Sequence, residues 1–136
     1  MNDDKAAIDA IMREFFAAFA SPVAGPVSLA PLRRMFLARA VIVRNAGARP
    51  EVMGVGDFIA PRETLLNDGS LLEFREIEEA ESTQIFGNIA QRFSTYRKSG
   101  RLDGSPFSTR GRKTVQFVRD DGVWKISALA WDDERD

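Results

Sequence analysis

Arg112-Lys113-Thr114-Val115-Gln116-Phe117-Val118-Arg119, then Asp120-Asp121-Gly122, then Val123-Trp124-Lys125-Ile126-Ser127-Ala128-Leu129-Ala130-Trp131: two β-rich runs flank an Asp-Asp-Gly break. That order is a strong hairpin signal. Upstream, from Leu71 onward, no helical period survives. Leu71 to Glu81 and Gln84 to Lys98 read as further strands, with Gly87-Asn88 and Gly100 to Gly104 as punctuation.

The first half of the chain reads differently. Residues 3–20 predict an amphipathic helix, with Asn2 or Asp3 as its cap and Ile8, Ile11, Met12, Phe15 and Phe19 as its buried stripe. Ser21-Pro22 stops it, and Ala24-Gly25-Pro26 is a loop. Ser28 caps a second helix that runs to about Arg39, with Pro31 in its first turn and Leu29, Leu32, Met35 and Phe36 facing inward. Ala40 to Arg44 switches to a β-branched strand, and Glu51-Val52-Met53 is a second short one. Asp57 caps a third helix ended by Asn67-Asp68-Gly69, with Pro61 bending it or delaying its start. Helices followed by an antiparallel succession of strands give an α+β fold, one domain over residues 1–136, with three helices packed on one sheet face.

Composition narrows the chemistry. At 136 residues the chain can bury a core without staples. A formal net charge of -1 gives no global field toward nucleic acid or an anionic membrane. The absence of cysteine and histidine excludes disulfides, thiolate chemistry, a Ser-His-Asp triad and a His-ligated zinc. No Asp/Glu spacing matches a metal loop, and no cofactor is expected. No segment nears the ~20 apolar residues of a membrane span, and Asn2-Asp3-Asp4 carries the wrong charge for a secretory leader. A cytoplasmic protein is expected. Chemistry is left to carboxylates, Tyr96, Arg, Lys, hydroxyls and backbone groups.

The long first helix, the strand of type Gly87-Asn88-Ile89-Ala90 and the ending Arg119-Asp120-Asp121-Gly122-Val123-Trp124-Lys125-Ile126 together resemble the nuclear-transport-factor-2-like superfamily. That superfamily includes SnoaL-like polyketide cyclases, ketosteroid isomerase, scytalone dehydratase and the association domain of calcium/calmodulin-dependent kinase. The resemblance implies a curved sheet wrapped against three helices, with a pocket in the cone between them. Enzyme members commonly carry a His-Asp pair, or a Tyr with Asp, inside that cone. This chain has no histidine, and its first helix carries Phe15 and Phe16 with no tyrosine.

The final turn decides which side chains face the cone. A two-residue Asp121-Gly122 loop puts Phe117 on one face with Trp124 and Ile126. A three-residue Asp120-Asp121-Gly122 loop puts it with Lys125, Ser127, Leu129 and Trp131. The Asp-Asp-Gly order favours the second, and the resemblance to the kinase association domain agrees, since a pocket group there matches the position of Trp131. The expected cone-facing set is then Val115, Phe117, Ser127, Leu129 and Trp131. By the same resemblance Gln91, Phe93, Thr95 and Arg97 point inward too, and Phe15 and Phe19 line the pocket while serving as core. A buried Arg97 needs a carboxylate such as Glu73, or an anionic ligand. The opposite face would carry Trp124, Ile126, Ala128 and Ala130 as a homodimer interface, a surface that superfamily members commonly use.

Glu73, Glu76, Glu78, Glu79 and Glu81 make one strand acidic. Arg97, Lys98, Arg101, Arg110, Arg112 and Lys113 make the next region basic, and cross-strand pairing is the simplest use of both. Asp9, Asp57 and Glu73 are the candidate acid–base carboxylates, none marked by spacing. Three functions are compatible with this reading. The first expectation is a homodimer binding a small hydrophobic or acidic organic molecule. The second is a SnoaL-like enzyme transferring protons on an apolar carbonyl compound, with Arg97 or Tyr96 stabilising developing charge. The third is an assembly module with a filled cone.

Overall fold

The computed structural model describes residues 3–21 and 25–135. The expected roles of Asn2, Pro22 and Ala24 lie outside the described residues. Helix α1 spans Asp3–Ala18, and its buried side chains are Ile8, Met12, Phe15 and Phe16. A single turn, α2, covers Ala30–Arg33. Strands β1 (Phe36–Arg44) and β2 (Glu51–Met53) precede helix α3 (Val55–Asn67). Four long strands follow: β3 (Leu71–Phe86), β4 (Ile89–Leu102), β5 (Ser105–Asp120) and β6 (Val123–Asp133).

The strands form one curved six-stranded sheet in the order β2-β1-β6-β5-β4-β3. The fold is α+β, as the sequence predicts, but the sheet is mixed because β1 runs parallel to β6. That pairing also shortens the second helix. The Met35 carbonyl accepts from Ile126 N–H at 2.7 Å, and Phe36 pairs with Ile126. Sheet hydrogen bonds therefore claim a segment whose own periodicity favours helix. Leu29, Leu32, Met35 and Phe36 are buried all the same.

The β5–β6 turn differs from expectation. Asp120 pairs with Val123, and both Asp121 (φ 50°) and Gly122 (φ 79°) are left-handed. This is a two-residue turn of the twisted type that hairpins favour, so Asp120 belongs to the strand. Phe117 accordingly shares a face with Trp124 and Ile126. A bulge follows: Phe117 pairs with Ile126 while Gln116 pairs with Ala128, leaving Ser127 extra. The Ser127 hydroxyl donates to the Gln116 carbonyl at 3.2 Å across it. One inserted residue reverses the alternation, so Leu129 and Trp131 return to the same inner face as Trp124 and Ile126.

Trp124 (5% exposed) and Ile126 (0%) are therefore core residues and no part of an outer interface. Trp124 Nε1 donates to Asp4 at 3.0 Å, and Arg119 stacks over its indole, which pins the hairpin to α1. Ala128 and Ala130 lie outward and half-buried, as expected.

Candidate functional site

The concave face of the sheet carries both core and site. On β4 the inward residues are Ala90, Arg92, Ser94 and Tyr96, each opposite an inward residue of β5: Phe117, Val115, Lys113 and Gly111. Gln91, Phe93, Thr95 and Arg97 thus point to the outer face, contrary to expectation. The register runs unshifted from the Leu102↔Ser105 pair, where Asp103 and Gly104 form another left-handed two-residue turn. Arg97 meets Glu79 at 3.3 Å on that outer face, and Glu79 also accepts from Arg110 at 2.9 Å. Glu73, its expected partner, is exposed and paired with Arg101.

Between α3, the ends of β1 and β2, and the inner face of β3–β6 lies an open cavity of about 560 Å³. Phe15 from α1, Phe19 just past its end, Phe58 from α3 and Trp131 from β6 form its aromatic wall. Val115, Phe117 and Leu129 face inward but are packed into the core behind this wall. Ser127 is at the bulge and does not line it.

The polar groups of the cavity were not among the residues expected to build it. Lys113 Nζ stands 2.8 Å from Glu76 Oε2, and the two side chains are only 6% and 8% exposed. No other group among the described residues donates to Glu76 Oε2, so the Lys113 ammonium is its one polar partner. Four rings surround the Lys113 ammonium: Tyr96 at 4.1 Å, Trp131 at 5.1 Å, and Phe15 and Phe16 at 5.8 Å each. Such rings compensate part of an ammonium's lost hydration. Burial nonetheless pushes the Lys113 pKa down, against the opposing pull of Glu76.

Beside this pair, Tyr96 is fully buried and its hydroxyl donates to Asp133 Oδ1 at 2.5 Å. Lys98 donates to the other oxygen, Oδ2, at 3.0 Å. Burial first, then the hydrogen bond to Asp133, push the Tyr96 pKa up, so the phenol stays protonated. Gly111 makes this arrangement fit. A Cβ built there would lie 2.2 Å from Tyr96 Oη and 2.5 Å from the Asp132 carbonyl oxygen.

A second, separate cluster sits in the groove between α1 and β3. Arg92, 3% exposed, pairs with Asp9 at 2.6 Å, Glu78 at 2.5 Å and Glu81 at 3.3 Å. Ser94 adds a hydrogen bond to Glu78 at 2.6 Å. A bulge at Glu79 lets Glu76, Glu78 and Glu81 all turn inward. Burial favours a neutral Asp9, but hydrogen bonds from Arg92 and Lys5 outweigh it and hold its pKa below the usual carboxylate range. Asp9 is thus a structural clamp, occupied by two cations. Asp57 reaches only the cavity rim, where it is exposed. Among the described residues no cluster of Asp and Glu is arranged to hold a metal ion, and no helix is long and apolar enough to cross a membrane.

Comparison with solved structures fits this geometry. An NTF2-like protein of unknown function from Silicibacter pomeroyi superposes with a TM-score of 0.68 at 16% identity, covering 98% of each chain. The chain has the nuclear-transport-factor-2-like fold. A hexachlorocyclohexane dehydrochlorinase, LinA type 2, shares this NTF2-like fold with a TM-score of 0.79 at 14% identity over 97% of this chain and 86% of that one. A calcium/calmodulin-dependent kinase II association-domain-like protein from Exiguobacterium sibiricum matches with a TM-score of 0.76 at 9% identity over 98% and 95%. No protein-family model matches the sequence. No curated protein matches it either.

Glu76 and Lys113 thus face each other on the inner wall of the cone. A signal for Lys113 was present in the sequence: it stands two residues before Val115 and four before Phe117, on the face those residues define. Glu76 carried no such signal, because the bulges of β3 break its alternation.

Proposed function

We propose that this chain binds a small, largely apolar organic molecule in its NTF2-like cone and moves a proton on it with Glu76. The observation that carries this reading is the Glu76–Lys113 pair on the cavity wall. A buried carboxylate whose one polar partner is an ammonium keeps lone pairs that can accept a proton from carbon or oxygen of a bound ligand. The adjacent ammonium then stabilises negative charge developing on a carbonyl oxygen. Tyr96, Lys98 and Asp133 fix the surrounding wall, and the aromatic side offers an apolar surface to the ligand. The substrate class is a small hydrophobic carbonyl compound, and the reaction type is SnoaL-like proton transfer. The dehydrochlorinase of the same fold lends a precedent for chemistry in such a cone.

A second reading, binding without turnover, is favoured by the same 2.8 Å approach, because the ammonium occupies the carboxylate that would have to take the proton. Deuterium exchange separates the two. Phenylacetone in heavy water, followed by proton NMR, should lose its α-protons faster in the presence of the protein. Glu76→Gln should cut that rate by roughly 10²–10⁴. Exchange at the buffer rate, with a ligand-induced rise in melting temperature intact, selects the binding-only reading.

We further propose that the working unit is a homodimer joined through the outer sheet face. There Val41 (47% exposed) pairs with Ala128, and Phe93 (52%) lies across Thr114 from Ala130. Burial of these exposed apolar side chains is the economical outcome, and small residues permit close sheet-to-sheet approach. The association-domain-like neighbour supports an assembling role.

A further inference from the structure

The charges lining the cavity balance in number, Arg44, Arg62, Lys98 and Lys113 against Glu51, Asp57, Glu76 and Asp133, but they do not all pair off. Lys113 is matched by Glu76, and Lys98 by Asp133. Arg62, from α3, lies half-buried in the same wall with no carboxylate within ion-pair distance among the described residues. Its guanidinium sits 4.4 Å over the Phe58 ring and 5.2 Å from the Trp131 ring, and Nη1 donates to the Phe58 carbonyl at 3.0 Å. A guanidinium has five N–H donors, so most of Arg62's find no acceptor in the protein. Arg44, from the end of β1, lines the same cavity and also has no ion-pair partner among the described residues. Glu51 and Asp57 occupy the exposed rim without closing on either guanidinium.

Two guanidiniums lining one cavity with most of their donors unused suit a planar anion. Stacking on Phe58 and Trp131 occupies the flat face of Arg62 and leaves its edge for paired hydrogen bonds, the geometry that suits a carboxylate. The carboxylates already in the wall disfavour a doubly charged group such as a phosphate monoester. We infer that Arg62, assisted by Arg44, anchors the carboxylate of a small monocarboxylic acid whose apolar body lies against the more accessible apolar lining of the cavity, Leu65, Phe74 and Phe107. This rests on the reading of the cone as a small-molecule site. It adds a handle at the end of the ligand held by α3, while Glu76 and Lys113 act from the sheet.

The test is calorimetric titration of the full chain with three matched acid and amide pairs: phenylacetate, 3-phenylpropanoate and indole-3-acetate, each against its neutral amide. The expected result is that at least one acid binds about tenfold or more tightly than its amide. Arg62→Gln should remove that preference while leaving amide affinity in place, and Arg62→Lys should recover only part of it, because a point charge replaces the fork. Thermal melts of both variants confirm folding, and Arg44→Gln provides a second route to the same loss if Arg62→Gln does not fold. Equal binding of acid and amide, or an acid preference that survives both substitutions, overturns the anchor and leaves the small-molecule reading standing. Failure of all six compounds to bind overturns both.

Discussion

Lys113→Met is the substitution that probes the site most directly. It removes the ammonium while keeping an unbranched stem of similar volume. Glu76, only 8% exposed, is then left as a buried charge without a counter-ion. Breaking one side of a buried pair costs about 3–5 kcal/mol. The open cavity gives the orphaned carboxylate some access to water, so the lower end, about 3 kcal/mol, is expected. The double variant Lys113→Met/Glu76→Gln should return to within about 1 kcal/mol of the parent, since neither charge remains. Urea unfolding followed by circular dichroism reads both values. The pH dependence adds a sign. In the parent, burial holds the Lys113 pKa below 10.5, so the folded chain sheds that proton before the unfolded chain does. Its contribution to stability therefore grows as pH rises toward 10.5, and the variant should lack that rise. A cost below about 1 kcal/mol, or a double variant as unstable as the single one, would refute the assignment of a buried, mutually dependent pair.

Three other outcomes follow from the geometry. Gly111→Ala should destabilise by about 1–3 kcal/mol in the same unfolding assay, and Tyr96→Phe should rescue only part, because the Asp132 carbonyl also obstructs the new Cβ. Asp9→Asn should cost about 1 kcal/mol, discounted because Asp9 is a third exposed; since its folded pKa lies below 3.8, the parent's stability should fall as pH drops through that value, and the variant should show a flatter acid limb. Phe93→Glu, which puts a charge on the outer face, should halve the mass measured by light scattering and leave the melting of each protomer nearly unchanged. A parent that is already monomeric at micromolar concentration would remove the dimer.

The α+β class, the three helical segments and the hairpin ending were legible because they rest on periodicity and turn residues, which are local. The site was legible only in part, because it depends on the phase of each strand. Asp103-Gly104 and Asp121-Gly122 are both two-residue turns, and reading them alike places Tyr96 opposite Gly111 and Phe117 opposite Ile126. Treating the second as a three-residue loop turned Trp124 and Ile126 outward, yet Leu129 and Trp131 still came out inward, because the bulge at Ser127 supplies the residue that the loop does not. Phe93 misleads for another reason. An aromatic side chain between Arg92 and Ser94 reads as the buried member, whereas the polar pair is buried by partners remote in sequence, Asp9 and Glu78. Glu76 and Arg62 needed the fold itself: one is aimed by irregular β3, the other by where α3 crosses Trp131.

The bulge at Ser127 has a consequence for how this chain can change. It divides β6 into two halves whose phases are set independently, the first by the Asp121-Gly122 turn and the second by pairing with β1 and β5 beyond Ala128. A one-residue insertion at the hairpin tip would rotate Trp124 and Ile126 out of the core, but a compensating loss of Ser127 would leave Leu129, Trp131 and Asp133 where they are. The tip of the hairpin and the wall of the cone are thus mechanically insulated. Drift in one need not retune the other, and the chemistry of the cavity can diversify while the hairpin that closes the fold stays put.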